Sequence, residues 1–351
     1  MDRMGVSPLA RRIADAGGSV PFETWMDLAL HDAELGYYAR NIRGLGPRGD
    51  FATASTLHPA LGEAVAAWAA ERRRDLAGAF SRWDLIEAGP GSGALAEAVL
   101  AALPLLARST VRLHLVETSP VLAVAQRARL GDRAVWHATL EDALDACGGK
   151  AIVYASELLD AFPVRVLKAS RDGWEELEIS LKGGLWREEW RPAASERVGP
   201  AGAFSTLSRT WPEGQRVECG AAARSFLLSK KSSFLLGAFL LLDYGETIET
   251  LYARRPNGTL RGYAHHQRLE REELYRWGGK ADVTADVNFT DAAAWAGEAG
   301  FDVSPLETQG AFLARQVRDA EARATREPAL AFLLDPRGAG SAFKALELRK
   351  G

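Results

Sequence analysis

The chain has 351 residues, 47% hydrophobic and 25% charged, with a formal net charge of −3. That length accommodates one large or two modest domains with a sizeable core, and the slightly acidic balance argues against nucleic acid as the main partner. Only Cys147 and Cys219 are present, too few and too far apart for a disulfide framework or a zinc knuckle, so both are expected to be reduced thiols with no metal.

Residues 1–20 include arginines but no long apolar run, so a secretory signal is not expected, and Asp2 and Asp15 weigh against a transit peptide. Leu9, Ile13 and Ala16 instead line one face of a first amphipathic helix. Pro21 suits the first turn of a second helix, where its missing N–H costs nothing, and Phe22, Trp25, Met26, Ala29 and Leu30 follow at helical spacing. The stretch from Gly36 to Ser55, with four glycines between Gly36 and Gly49, reads as a loop. A further helix begins near Pro59, with Leu61, Val65, Trp68, Ala69, Leu76 and Phe80 as its apolar stripe, opposite Glu71, Arg72 and Arg73. Residues 1–80 therefore form an N-terminal helical region, expected to cover a ligand cleft in the domain formed by 81–351.

From residue 83 strands and helices alternate. Strands are expected at Asp84–Ala88, Val111–Glu117, Ala151–Ala155 and Ala238–Asp243, with another just before the segment Trp136–Leu144. The later ones are nearly continuous apolar runs, as suits parallel strands covered on both faces. The fold class is α/β, with right-handed βαβ units. Between about 165 and 215 the alternation gives way to a β-rich insertion: Val164–Lys168 and Trp174–Ser180 flank an Asp172-Gly173 turn, and Gly183-Gly184 marks another before Trp186 and Trp190. The longest apolar run, near Phe234–Leu242, is too short to cross a bilayer, so no membrane insertion is expected and the cytoplasm is the default compartment.

The most informative segment is Trp83–Leu100, a strand, a glycine-rich turn and an alanine-rich helix. Gly89-x-Gly91-x-x-Ala94 fits the dinucleotide fingerprint, and Glu117 lies where a ribose-binding acid belongs. Glu87-x-Gly89-x-Gly91-x-Gly93 equally resembles motif I of class I S-adenosylmethionine methyltransferases. A nucleophile elbow at Ser92 lacks its outer glycines, and a ligand-free βα turn is the plain alternative. Glu117, at a strand end, offers acceptors to both ribose hydroxyls or simply charges a helix N-terminus capped by Ser119. Leu140 with Glu141 or Asp142 could wall an adenine and accept its amine, or be surface acids opening a helix. Ser156, Glu157 and Asp160 follow the fourth strand, where two carboxylates could cradle a cationic nucleophile or cap a helix closed by Pro163. Asp243 is a third acid for that rim, or a cap. His265-His266, read as adjacent strand residues, would point to opposite faces and make no metal pair.

Taken together the motifs resemble the MidA family of S-adenosylmethionine-dependent methyltransferases. The resemblance rests on LGYYA at Leu35–Ala39, GDFATA at Gly49–Ala54, LGEAVAAW at Leu61–Trp68, EAGPGSGAL at Glu87–Leu95, HLVETSP at His114–Pro120 and ELLDAFPV at Glu157–Val164. It continues through LLDYGE at Leu241–Glu246, GTLRGY at Gly258–Tyr263, DVTADVNF at Asp282–Phe289 and TQGAFLAR at Thr308–Arg315 to FKALEL at Phe343–Leu348. Ser92, Ala94 and Ser156 depart from the family's usual residues. The resemblance implies a Rossmann-like methyltransferase domain with S-adenosyl-L-methionine as cofactor. Glu87, Gly89, Pro90, Gly91, Gly93, Glu117, Thr118, Leu140, Glu141, Asp142 and Ser156 would hold it, with Glu157 and Asp160 at the catalytic centre. It also implies a protein substrate methylated on arginine, a respiratory-complex subunit in the mitochondrial members, and hence a matrix location if the chain is eukaryotic. Two alternatives stay open: a degenerate assembly protein that retains the cofactor fold, and an NAD-dependent oxidoreductase. A homodimer through the N-terminal helices or the β-rich insertion is also compatible with the sequence.

Overall fold

The computed structural model describes residues 7–40, 58–76, 81–194, 202–265 and 267–351. The chain divides into two compact units of three stretches each: Met1–Arg43, Asp160–Ser225 and Glu246–Asp291 in one, Gly44–Leu159, Phe226–Gly245 and Ala292–Gly351 in the other. This division departs from the linear boundary expected at residue 80. The strand Ser19–Pro21 pairs antiparallel with Gly173–Lys182, Val20 opposite Ile179, which draws the first forty residues into the unit of the insertion. The helix Ala60–Leu76 belongs to the other unit.

That second, parallel-sheet unit is organised by strands in the order Asp302–Val303, Phe343–Lys350, Leu236–Glu246, Lys150–Ser156, Trp83–Ala88, Val111–Val116, Ala134–His137. The last five are mutually parallel, and Phe343–Lys350 runs antiparallel to Leu236–Glu246 with Leu346 opposite Leu241. All six residues of Trp83–Ala88 are buried, as a strand covered on both faces requires. Chain order reverses between Trp83–Ala88 and Lys150–Ser156. The crevice at the carboxyl ends of strands flanking such a switch is where open α/β sheets take ligands. Trp68, Leu85, Ile152, Tyr154, Leu242 and Phe312 belong to one buried cluster, each such side chain contributing about 1.5–3 kcal/mol of burial free energy.

Helix Ala60–Leu76 packs on helix Ala94–Ala102 so closely that a Cβ on Gly62 would lie 2.5 Å from the Ala98 Cβ. Arg73 is not on the solvated face its charge suggested. It is buried one turn beyond Ala69, with its guanidinium 6.0 Å from the ring centre of Trp83, so its aliphatic stem extends the apolar stripe. Phe80, assigned to the same stripe, and the GDFATA block lie outside the described residues.

The other unit is antiparallel. Its larger sheet orders Ser19–Pro21, Gly173–Lys182, Arg165–Ser170 and Arg216–Cys219, with Leu185–Pro192 also paired to Gly173–Lys182. The turns fall where the sequence placed them: Ser170 pairs with Gly173 around Arg171-Asp172, and Lys182 pairs with Leu185 around Gly183-Gly184, whose φ values of 58° and 77° suit a tight hairpin. Helices Pro8–Asp15 and Phe22–His31 bury the expected Leu9, Ile13, Phe22, Trp25, Met26, Ala29 and Leu30. A smaller sheet joins Gln267–Leu269, Arg261–Ala264 and Asp282–Thr284. His265 has left the strand Arg261–Ala264 and takes φ 49° just beyond it, because the chain reverses there to bring Gln267 opposite Ala264. The strand geometry expected for His265-His266 does not apply to it, and His266 lies outside the described residues.

Candidate functional site

The glycine turn follows Trp83–Ala88 directly. Gly89, Gly91 and Gly93 take φ values of 71°, 52° and 75°, and Gly93 caps the helix Ala94–Ala102. These left-handed conformations favour glycine, and a Cβ at Gly89 would lie 2.9 Å from Leu158 Cδ1, so the turn packs tightly ahead of a helix N-terminus. The Gly89 N–H donates to the Val116 carbonyl at 3.1 Å, pinning the turn to the neighbouring strand. Glu87 lies beneath the loop. It is 2% exposed and accepts from the Tyr154 hydroxyl at 3.0 Å, and its burial pushes its pKa up to about 8. Its carboxylate also accepts from the Ala96 N–H, in the first turn of the helix that follows the loop.

Glu117 stands just past the end of Val111–Val116. Its two carboxylate oxygens accept from the Ser119 N–H at 2.7 Å and from the Gln126 amide at 2.9 Å. Burial raises its pKa against those hydrogen bonds. Both oxygens keep lone pairs for further donors. Gln126 is the organiser that the sequence reading missed. Its Nε2 also donates to the Gly91 carbonyl at 2.8 Å, and its Oε1 accepts from Trp136 Nε1 at 2.9 Å. One fully buried amide therefore fixes the glycine loop, the acid and the indole relative to one another. The signal was present: on helix Pro120–Leu130 the buried stripe runs Leu122, Gln126, Leu130, with a polar residue where an apolar one is expected.

Thr139 caps the helix Leu140–Ala146 by accepting from the Asp142 N–H at 3.1 Å. Leu140 is buried. Glu141 is bonded by Ser229 at 2.8 Å and ion-paired with Lys230, whereas the Asp142 side chain is exposed. The two acids that the sequence could not separate thus differ in their partners. Thr118 is exposed, and Ser156 is the last, half-buried residue of its strand.

Beyond Ser156 the chain makes no full helix. Glu157 takes φ 55°, sparsely populated for a residue with a side chain, and a single tight turn Leu159–Ala161 follows. The Glu157 N–H donates to the Leu242 carbonyl at 2.8 Å, while Asp243 accepts from the N–H groups of Leu158 and Leu159 at 3.2 and 2.9 Å. Asp243 is therefore the anchor that holds this turn. Glu157 belongs to the parallel-sheet unit and Asp160 to the antiparallel one. In the latter, Asp160 is buried and accepts from Thr284 Oγ1 at 3.0 Å, and Tyr38 donates to Asp282 at 2.9 Å. Burial, and then the Asp160 charge, push the Asp282 pKa up to about 7. Tyr38 and Asp282 fall in two of the motif blocks, but no individual role was legible for either.

Among the described residues no helix is long and apolar enough to cross a membrane. The family model for S-adenosyl-L-methionine-dependent methyltransferases matches residues 64–306. The chain is 29% identical to the protein arginine methyltransferase NDUFAF7 homolog, mitochondrial, of Drosophila melanogaster, over 95% of this chain and 82% of the relative. It is also 29% identical to the NDUFAF7 protein arginine methyltransferase of Danio rerio, over 85% of this chain and 73% of that one. The solved structure of a Burkholderia thailandensis protein bound to S-adenosyl-homocysteine superimposes with a TM-score of 0.82 at 27% identity, covering 97% of this chain and 90% of that one.

Proposed function

Because the chain belongs to the family of S-adenosylmethionine-dependent methyltransferases, we propose that it methylates an arginine side chain of a protein substrate. The arginine acceptor is suggested by the relatives, which are named protein arginine methyltransferases. A respiratory-complex subunit is the acceptor that the MidA resemblance favours, in the mitochondrial matrix or, for a bacterial chain, the cytosol.

The observation that carries the cofactor assignment is the Gly91–Gln126–Glu117 linkage, which joins the glycine turn to the acid at the carboxyl end of the neighbouring strand. The residues fit the group: three glycines in left-handed conformations expose backbone, and a carboxylate held by two donors keeps free acceptors. In this reading Gly89, Pro90, Gly91 and Gly93 receive the amino-acid portion, Glu117 with Thr118 the ribose, and Leu140 the adenine. Asp142 takes the exocyclic amine, since Glu141 is committed to Lys230, and Ser156 lines the strand end. When bound, S-adenosylmethionine supplies an electrophilic sulfonium methyl group open to in-line displacement by nitrogen.

The protein's remaining task is to present that nitrogen. A guanidinium keeps its proton in water because its pKa exceeds about 12. Glu157 would bind it through a charge-assisted hydrogen bond and take up the proton lost as the new C–N bond forms. The left-handed backbone at Glu157, held through its own N–H to Leu242 and through the next two N–H groups to Asp243, fixes the point from which its side chain starts.

The test supplies the purified chain with methyl-labelled S-adenosylmethionine and a cell lysate, then maps the label by peptide mass spectrometry. Label on arginine supports the reading. Glu157→Gln should keep calorimetric S-adenosylhomocysteine binding and lower transfer at least about 100-fold, the range of a lost general base. Unchanged turnover in that variant removes Glu157 from the chemistry. Cofactor binding with no labelled acceptor would point to an assembly protein instead.

A further inference from the structure

A second constellation lies on one face of the strands Trp83–Ala88, Val111–Val116 and Ala134–His137. Asp84 is the second residue of Trp83–Ala88, and its register partner on the next strand is Arg112. His114 is two residues beyond Arg112 and therefore on the same face of the sheet, as is His137 on the following strand. Cys147 ends the helix Leu140–Ala146 over that face. His114 Nε2 lies 3.0 Å from Asp84 Oδ1 and 3.7 Å from Cys147 Sγ, and the three donor atoms all fall within 4.8 Å of one another. Tetrahedral zinc bonded at its usual lengths separates N from S by about 3.6 Å and N from O by about 3.4 Å.

The surroundings are those of a ligand set. Asp84 Oδ2 accepts from Arg112 at 2.6 Å, which leaves Oδ1 directed at the centre of the cluster. His114 Nδ1 lies 2.9 Å from His137 Nε2, a partner able to accept its N–H and turn the Nε2 lone pair toward Asp84 and Cys147. We propose that Asp84, His114 and Cys147 bind one borderline-soft divalent cation of the zinc type, with water as fourth ligand. A thiolate–imidazole–carboxylate set suits zinc or cobalt(II) over magnesium or calcium, which prefer oxygen alone. Coordination releases the Cys147 thiol proton to solvent, places the His114 proton on Nδ1 and gives Asp84 a cation in place of the ring N–H. The ion ties the end of helix Leu140–Ala146 to two sheet strands. Three residues of extended chain, about 10 Å, separate Asp84 from Glu87, so the site stands apart from the cofactor loop. The ligands lie 30 and 33 positions apart, in no finger or knuckle spacing, so no sequence pattern reports them.

Cobalt(II) chloride is titrated into chelator-treated full-length protein and followed by absorbance. The expected result is saturation at about one equivalent, with a thiolate-to-cobalt band in the near ultraviolet that zinc chloride abolishes. Cys147→Ser and His114→Ala should lose the band, whereas Cys219→Ser should keep it. Zinc should raise the thermal midpoint of the parent but not of Cys147→Ser, and S-adenosylhomocysteine binding by Cys147→Ser confirms that it is folded. Absence of the band in the folded parent, or its persistence in Cys147→Ser, overturns the proposal and leaves Asp84, His114 and His137 as a plain hydrogen-bond relay.

Discussion

In the parallel-sheet unit a large apolar cluster surrounds a few buried polar groups, among them Asp84, Glu87, His114 and Gln126, while in the antiparallel unit the sheet is laced with ion pairs. There Arg165 donates two hydrogen bonds of 3.0 Å to Glu176 with both side chains buried, Arg216 pairs with Glu188 at 2.7 Å, and Trp190 has Lys168 and Arg216 at 4.4 and 4.7 Å from its ring centre. The first unit rests on area removed from water, which tolerates imperfect partners. The second rests on matched ions, each of which becomes a liability once its partner is gone.

That contrast breaks most visibly at Arg165. Arg165→Met strands a buried carboxylate and should cost about 3–5 kcal/mol in urea unfolding, whereas Arg165→Met with Glu176→Leu should recover most of the loss. A single-variant cost below about 1 kcal/mol would show that the pair is not desolvated.

The two units also differ in how they respond to pH. Glu87, with its pKa pushed up to about 8, and Asp282, pushed up to about 7, hold protons when folded that an unfolded carboxyl releases near pH 4. Between those limits the folded state binds more protons, so stability falls as pH rises, by at most about 1.4 kcal/mol per pH unit for each group. Glu87→Gln should end the decline near pH 7, and Asp282→Asn should leave it running to about pH 8. Urea midpoints from pH 5 to 9 read this directly.

Gln126→Leu sharpens the comparison from the apolar side. It leaves the Gly91 carbonyl and the Trp136 N–H without their bonds, worth about 1–3 kcal/mol. S-adenosylhomocysteine should bind about tenfold more weakly by calorimetry, and an unchanged affinity would show that the loop does not depend on that amide. Smallest of all, Arg171→Ala should leave the urea midpoint unmoved, since its pair with Glu213 is 84% and 62% exposed.

What could be read from the sequence was local. A nearly continuous apolar run located the strand at Lys150–Ser156, the short apolar segment before the glycine turn located Trp83–Ala88, and Asp172-Gly173 and Gly183-Gly184 located the hairpins, because each depends on a few neighbouring residues. Phe343–Lys350 escaped notice: alternating with charge, it looks like a surface segment until Leu236–Glu246 supplies its partner. The assembly of each unit from three stretches escaped for the same reason, as did the partners that separate Glu141 from Asp142. Within the candidate site the glycines and Glu117 declared themselves by spacing. Gln126 and Asp243 act through bonds to residues 9 to 85 positions away, which no periodicity reports.

The pairing of Ser19–Pro21 with Gly173–Lys182 also has a temporal side. During translation the strand Ser19–Pro21 emerges with no partner and waits for about 160 more residues to be made. The neighbour of Leu236–Glu246 is finished only when residue 350 has left the ribosome. Both units therefore stay incomplete for most of synthesis, and the nascent chain offers open strand edges to chaperones or to other nascent chains. Expression yield should accordingly respond to translation speed and holdase capacity more than the equilibrium stability of the finished protein would suggest.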